Sequence, residues 1–296
     1  MDLVYPPVVS LARAVFRVQG LRFTIRGSEH VPRDGGAVMA INHVGYMDFT
    51  FAGLAARRAG RLVRFMAKAE VFAHPVAGPL MRGMHHIPVD RTAGASSFRE
   101  ALTALRSGEI VGVFPEATIS RSFELKEFKS GAARLAADSG VPLLPTVIWG
   151  SQRIWTKDHP KSLLHPGVPV HIYVGEPLEV PAGADLDAVT AELRERMEAL
   201  LRQAQQAYPE GPANATDGWW WPARLGGTAP TPERAAELDE AERRERVRQF
   251  AAKAKAANAA AKSTAAPGTR ARWGRALHRA RGLAAQAAAK ALRGRR

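Results

Sequence analysis

The chain has 296 residues, of which 46% are apolar, and carries 42 Lys and Arg against 28 Asp and Glu, a formal net charge of +14. That apolar fraction excludes a chain disordered throughout, and the absence of cysteine excludes disulfide staples, thiol catalysis and cysteine-based zinc sites. Residues 243–296 hold 16 basic residues and one acid, Glu245, whereas residues 1–207 hold 24 basic and 20 acidic, so the body of the protein is not a basic nucleic-acid-binding fold.

Taken in chain order, Pro6-Pro7 precede an amphipathic segment, Val8–Val18. At about 100° per residue, Val8, Val9, Leu11, Val15, Phe16 and Val18 share one broad face and Ser10, Arg13 and Arg17 the other. Such a helix suits a membrane interface or an ordinary packing face on the domain. Alternation predicts a strand over 21–27, followed by a short buried strand over 35–41, a helix over 49–59 and a strand over 61–67. A mixed segment with Pro75 and Pro79 leads to a short strand at 85–90. A helix is expected over 96–106, with Phe98, Ala101, Leu102 and Leu105 on one stripe, then a strand over 109–115 and a helix over 129–138 stopped by Gly140. Strands at 143–149 and 170–175 and a long amphipathic helix at 185–207 complete the pattern. Strands alternating with helices indicate an α/β domain with a mostly parallel sheet flanked by helices.

The organisation expected is an amphipathic helix over 1–20, the α/β domain over 21–207, a Trp-containing linker over 208–242 and a basic Ala/Lys/Arg-rich tail over 243–296, disordered or weakly helical. Trp219–Trp221 suit either a lipid interface or docking of the linker on the domain. No stretch of about 18 apolar residues is present, so a spanning helix is not expected, nor is a signal peptide. His85 and His86 are adjacent on a strand and point to opposite faces, which disfavours a shared metal.

Four stretches sit where strands begin or end. Asn42-His43-Val44-Gly45-Tyr46-Met47-Asp48 offers a histidine and a carboxylate five residues apart. The two side chains can meet only if the segment turns, which Gly45 permits. Phe114–Ser122, continuing to Phe128-Lys129-Ser130-Gly131, gathers hydroxyls, Arg121 and Lys129 at a loop before a helix, a setting that favours anions. Ile87–Arg91 presents an arginine at a strand end, and Val141-Pro142-Leu143-Leu144-Pro145 enters a strand. In open α/β sheets such strand ends line the functional crevice.

In this order and spacing the four stretches resemble the glycerolipid acyltransferase family, and more closely the bacterial 1-acylglycerol-3-phosphate acyltransferases, over about residues 20–205. Asn42, His43 and Asp48 match the family's Asn-His-x4-Asp. Phe114–Ser120 matches Phe-Pro-Glu-Gly-Thr-Arg-Ser, with Ala117 in place of glycine and Ile119 in place of arginine. The resemblance implies that a fatty acyl group moves from acyl-CoA or an acyl-carrier-protein thioester to the free hydroxyl of 1-acylglycerol 3-phosphate, a lysophospholipid, making phosphatidic acid, with no cofactor or metal. His43 would be the general base and Asp48 its orienting partner. Arg91, Arg121 and Lys129, with Glu116, Thr118 and Ser120 setting the loop, would hold the acceptor phosphate. The substitution at Ile119 opens the acceptor to another lysophospholipid or a glycolipid. The expected location is the cytoplasmic face of the cell membrane, peripheral or monotopic. The basic tail is expected on anionic lipid, with nucleic acid as the alternative partner.

Overall fold

The structure, a computed structural model, describes residues 2–90, 94–162 and 166–264. The chain separates after Ala235 into two compact units. In the first, seven strands form one sheet: β1 Arg22–Arg26, β2 Ala37–Ile41, β3 Val63–Lys68, β4 Ile87–Val89, β5 Ile110–Val113, β6 Leu143–Trp149 and β7 Pro169–Val174. Their spatial order is β1-β7-β6-β2-β5-β3-β4. Every neighbouring pair is parallel except β6 and β7, which run antiparallel. β2, β5, β6 and β7 are buried along their whole length, as continuous apolar runs between two helix layers should be.

One layer consists of α5 Gly94–Arg106, α6 Gly131–Ser139 and α7 Leu186–Gln206, whose Leu105, Leu135, Leu193 and Met197 pack against Val38, Val111 and Val147. The other face carries α1 Tyr5–Val18 and α2 Asp48–Arg58, with Phe16, Phe51, Ala52 and Ala55 against Met39, Ile110, Leu144 and Ile172. The mixed segment after β3 folds as two short helices, α3 Ala69–Phe72 and α4 Ala77–Gly83.

α1 divides its apolar residues. Tyr5 and Phe16 are buried, and the Tyr5 hydroxyl donates to the Val63 carbonyl at 2.8 Å. Leu11, Val15 and Val18 remain exposed, as does the preceding Leu3. An ion cluster around the buried Arg64 anchors the segment just before the helix: Arg64 donates to both oxygens of Asp2, at 2.8 and 2.9 Å, and to both oxygens of Glu109.

The tryptophan segment belongs to this unit. Trp220 is buried beside Tyr208, Trp221 packs against the core beside Trp149 and Tyr208, and Trp219 packs against it beside Phe123. Of the two roles open to it from sequence, docking onto the domain is the one these side chains take. α8 Pro232–Thr264 carries Arg–Glu pairs one turn apart at Arg243, Arg244 and Arg246. The rest of the basic tail, 265–296, lies outside the described residues.

Candidate active site

The site forms where chain direction diverges. After β2 the chain turns to α2 on one face of the sheet; after the adjacent β5 it runs to α6 on the other. Loops leaving neighbouring strands for opposite faces open a crevice at their carboxyl ends.

The β2 loop is anchored before it reaches the histidine. Asn42 is buried, and its amide donates to the Ile148 carbonyl at 3.0 Å while its oxygen accepts from the Ile148 N–H at 2.6 Å. The side chain thus serves as a peptide group, bonding β2's end to β6 where the backbone must turn away. His43 follows. Both ends of its peptide are held by the β5 loop: its N–H donates to Glu116 Oε1 at 2.8 Å, and its carbonyl accepts from the Ser120 N–H at 2.7 Å. Its imidazole stacks on Phe114, centroids 4.3 Å apart.

Residues 44–47 fold back as a tight turn, so that Asp48, the first residue of α2, lies under the imidazole. His43 Nδ1 and Asp48 Oδ2 are 3.0 Å apart. The same Oδ2 accepts from the N–H groups of Val44 and Gly45, each at 2.8 Å, and Oδ1 accepts from the Ser151 hydroxyl. The Asp48 side chain is wholly buried, whereas that of His43 is 21% exposed. Four donors at the start of a helix thus hold the carboxylate in place. Pairing with a carboxylate assigns the Nδ1 proton, leaving Nε2 as the ring nitrogen able to accept one.

The remaining predicted residues take different places. Glu116 and Ser120 are buried and structural in their contacts. Glu116 Oε2 accepts from the Lys126 N–H at 3.0 Å, and Ser120 Oγ donates to the Glu124 carbonyl at 2.7 Å. Burial pushes the Glu116 carboxyl up to about 8, outweighing the two backbone N–H donors that favour its charged form. Arg121 is buried, with its Nε on Asp158 of the loop after β6. Ile119 is buried too, so the side chain at the family's arginine position is part of the packing. Thr118 is half-buried and Lys129 exposed, with the Lys129 N–H closing the loop onto the Pro115 carbonyl at 3.0 Å. Arg91 lies outside the described residues. Among the described residues, no group of three or more His, Asp or Glu side chains could hold a metal ion.

Sequence reasoning missed Ser151, which stands 103 residues from Asp48 and reaches it only through the pairing of β6 with β2. No local spacing signals such a partner.

Residues 22–149 match the family model described as Acyltransferase. A 1-acyl-sn-glycerol-3-phosphate acyltransferase of Bacillus subtilis is 31% identical over 192 residues, covering 62% of this chain and 89% of that protein. One from Limnanthes douglasii is 33% identical over 147 residues, covering 48% of this chain and 50% of that one. The crystal structure of the 1-acyl-sn-glycerophosphate acyltransferase of Thermotoga maritima shares the fold, with a TM-score of 0.58 at 21% identity over 69% of this chain and 81% of that one. Fold and site together are those of an α/β acyltransferase with a His-x4-Asp pair. Within that class, the chain belongs to the 1-acyl-sn-glycerol-3-phosphate acyltransferase family.

Proposed function

We infer that this protein transfers a fatty acyl group from a thioester, acyl-CoA or acyl carrier protein, to the free hydroxyl of 1-acylglycerol 3-phosphate, making phosphatidic acid for phospholipid synthesis. The observation that carries the reading is the partly exposed crevice histidine held through Nδ1 on a buried aspartate. His43 Nε2 takes the hydroxyl proton as the oxygen attacks the thioester carbonyl. The tetrahedral intermediate then collapses, the C–S bond breaks, and the imidazolium returns the proton to the leaving thiolate. Asp48 stabilises the imidazolium. A positioned general base contributes on the order of 10²–10⁴-fold. No step calls for a cofactor or a metal.

The acceptor phosphate is assigned to Arg91, Lys129 and the Arg121 loop. With Ile119 in the packing, this set lacks the arginine of the family's Phe-Pro-Glu-Gly-Thr-Arg-Ser motif. Peripheral attachment to the cytoplasmic face of the membrane is supported by the exposed stripe of Leu11, Val15 and Val18, with Arg13 and Arg17 turned away from it. The basic segment 243–296 adds attraction to anionic headgroups, at about 1 kcal/mol per basic residue near the surface.

The test supplies purified protein with labelled acyl-CoA or acyl-carrier thioester and a panel of lysolipids. The expected product is phosphatidic acid from 1-acylglycerol 3-phosphate, and none from His43→Ala. Preference for a lysolipid with a larger head group would overturn the acceptor assignment, and an active, folded His43→Ala would overturn the base.

A further inference from the structure

Asp48 is bonded unequally. Its Oδ2 receives three donors, all from residues within five positions of it: the His43 ring and the N–H groups of Val44 and Gly45. Its Oδ1 receives the Ser151 hydroxyl, from a loop more than a hundred residues downstream. The local turn therefore fixes one oxygen and leaves the carboxylate's rotation to the other. A wholly buried carboxylate oxygen without a donor is costly, so removal of the hydroxyl would favour a rotated Asp48 carboxylate. Rotation weakens its hold on the imidazole.

Ser151 is itself tightly placed. It opens the turn Ser151–Arg153 directly after β6 and is fully buried. Gly45 lies so close that a Cβ there would stand 2.9 Å from Ser151 Oγ and 3.1 Å from its carbonyl oxygen. A substrate cannot reach this hydroxyl, and its proton is committed to Asp48, which excludes a nucleophilic role. Behind it, Gly150 has φ 100°, and a Cβ there would sit 2.2 Å from the Pro169 carbonyl oxygen. Gln152 donates to the Trp220 carbonyl at 3.3 Å, and Arg153 lies over the Trp220 ring at 4.3 Å.

We propose that Ser151 is a positioning residue of the His43–Asp48 pair, completing a Ser–Asp–His chain in which the hydroxyl fixes the carboxylate that orients the base. The inference rests on the base role proposed for His43. Ser151→Ala should lower kcat on the order of 10- to 100-fold. KM for both substrates should stay within about twofold, because uniform binding is untouched. Ser151→Thr, which keeps the hydroxyl, should recover most of the loss.

The deciding measurement is a double-mutant cycle with Asp48→Asn. If Ser151 acts through Asp48, adding Ser151→Ala to Asp48→Asn should cost less than about twofold more. Multiplicative losses would overturn the proposal, as would full kcat in Ser151→Ala while His43→Ala is dead. An active His43→Ala would instead overturn the base assignment on which the proposal rests. If Ser151→Ala fails to fold, Ser151→Thr and Ser151→Val, equal in volume, decide in its place: equal kcat in the two would reject the proposal.

Discussion

Ala117 adopts a left-handed conformation, φ 60°, at the one position of the β5 loop where the resembling family carries glycine. A side chain there costs about 1–2 kcal/mol, part of which glycine returns as unfolded-state entropy. Ala117→Gly should therefore raise stability by up to about 1 kcal/mol, read by denaturant unfolding, with kcat little changed. Glu116, one residue earlier, supplies a pH signature. Its carboxyl rises from 4.5 unfolded to about 8 folded, so folding takes up a proton between those values. The stability this contributes is complete below about 4.5 and is lost as pH climbs through 8. Relative to the non-titrating Glu116→Gln, the wild type should lose stability steadily across that window; a parallel pair of curves would contradict the shift. The His43–Asp48 pair was legible because its turn is local, five residues closed by Gly45. The work of Glu116 and Ser120 on the His43 peptide was not, since a motif names residues without saying whether they face substrate or backbone.

At the scale of elements, strand and helix periods located all seven strands and the helices that sandwich them, with ends shifted by at most three residues. What periodicity did not resolve was the segment around Pro75 and Pro79, where α3 and α4 are too short to show a repeat. It also left the partners of two amphipathic pieces open. Trp220 is buried, and Trp220→Ala should cost about 3–5 kcal/mol of stability, the range for emptying a large aromatic site. α1 behaves differently, since Leu11, Val15 and Val18 touch water. Replacing the three with glutamine should leave the unfolding midpoint unchanged and weaken binding to lipid vesicles in a flotation assay. Loss of stability instead would mean that these side chains pack on the domain in solution.

Across the whole molecule the charge is partitioned, with a nearly neutral catalytic body and a strongly basic end. α8 repeats that partition in miniature: its first half mixes acids with arginines, and after Glu245 it carries basic residues without an acid. Full-length protein should float with anionic vesicles more strongly than a form ending at residue 242, and the difference should shrink in high salt. Binding of DNA but not of vesicles by the longer form would assign the tail to nucleic acid. The placement of Ser151 also bears on how this enzyme can be cut. The family-matched region closes at Trp149, two residues short of the hydroxyl on Asp48, and the turn that presents it leans on Trp220. A fragment trimmed to the matched region would keep every signature residue of the motifs and still lack part of its catalytic geometry. The smallest portable enzyme in this chain extends through the tryptophan segment.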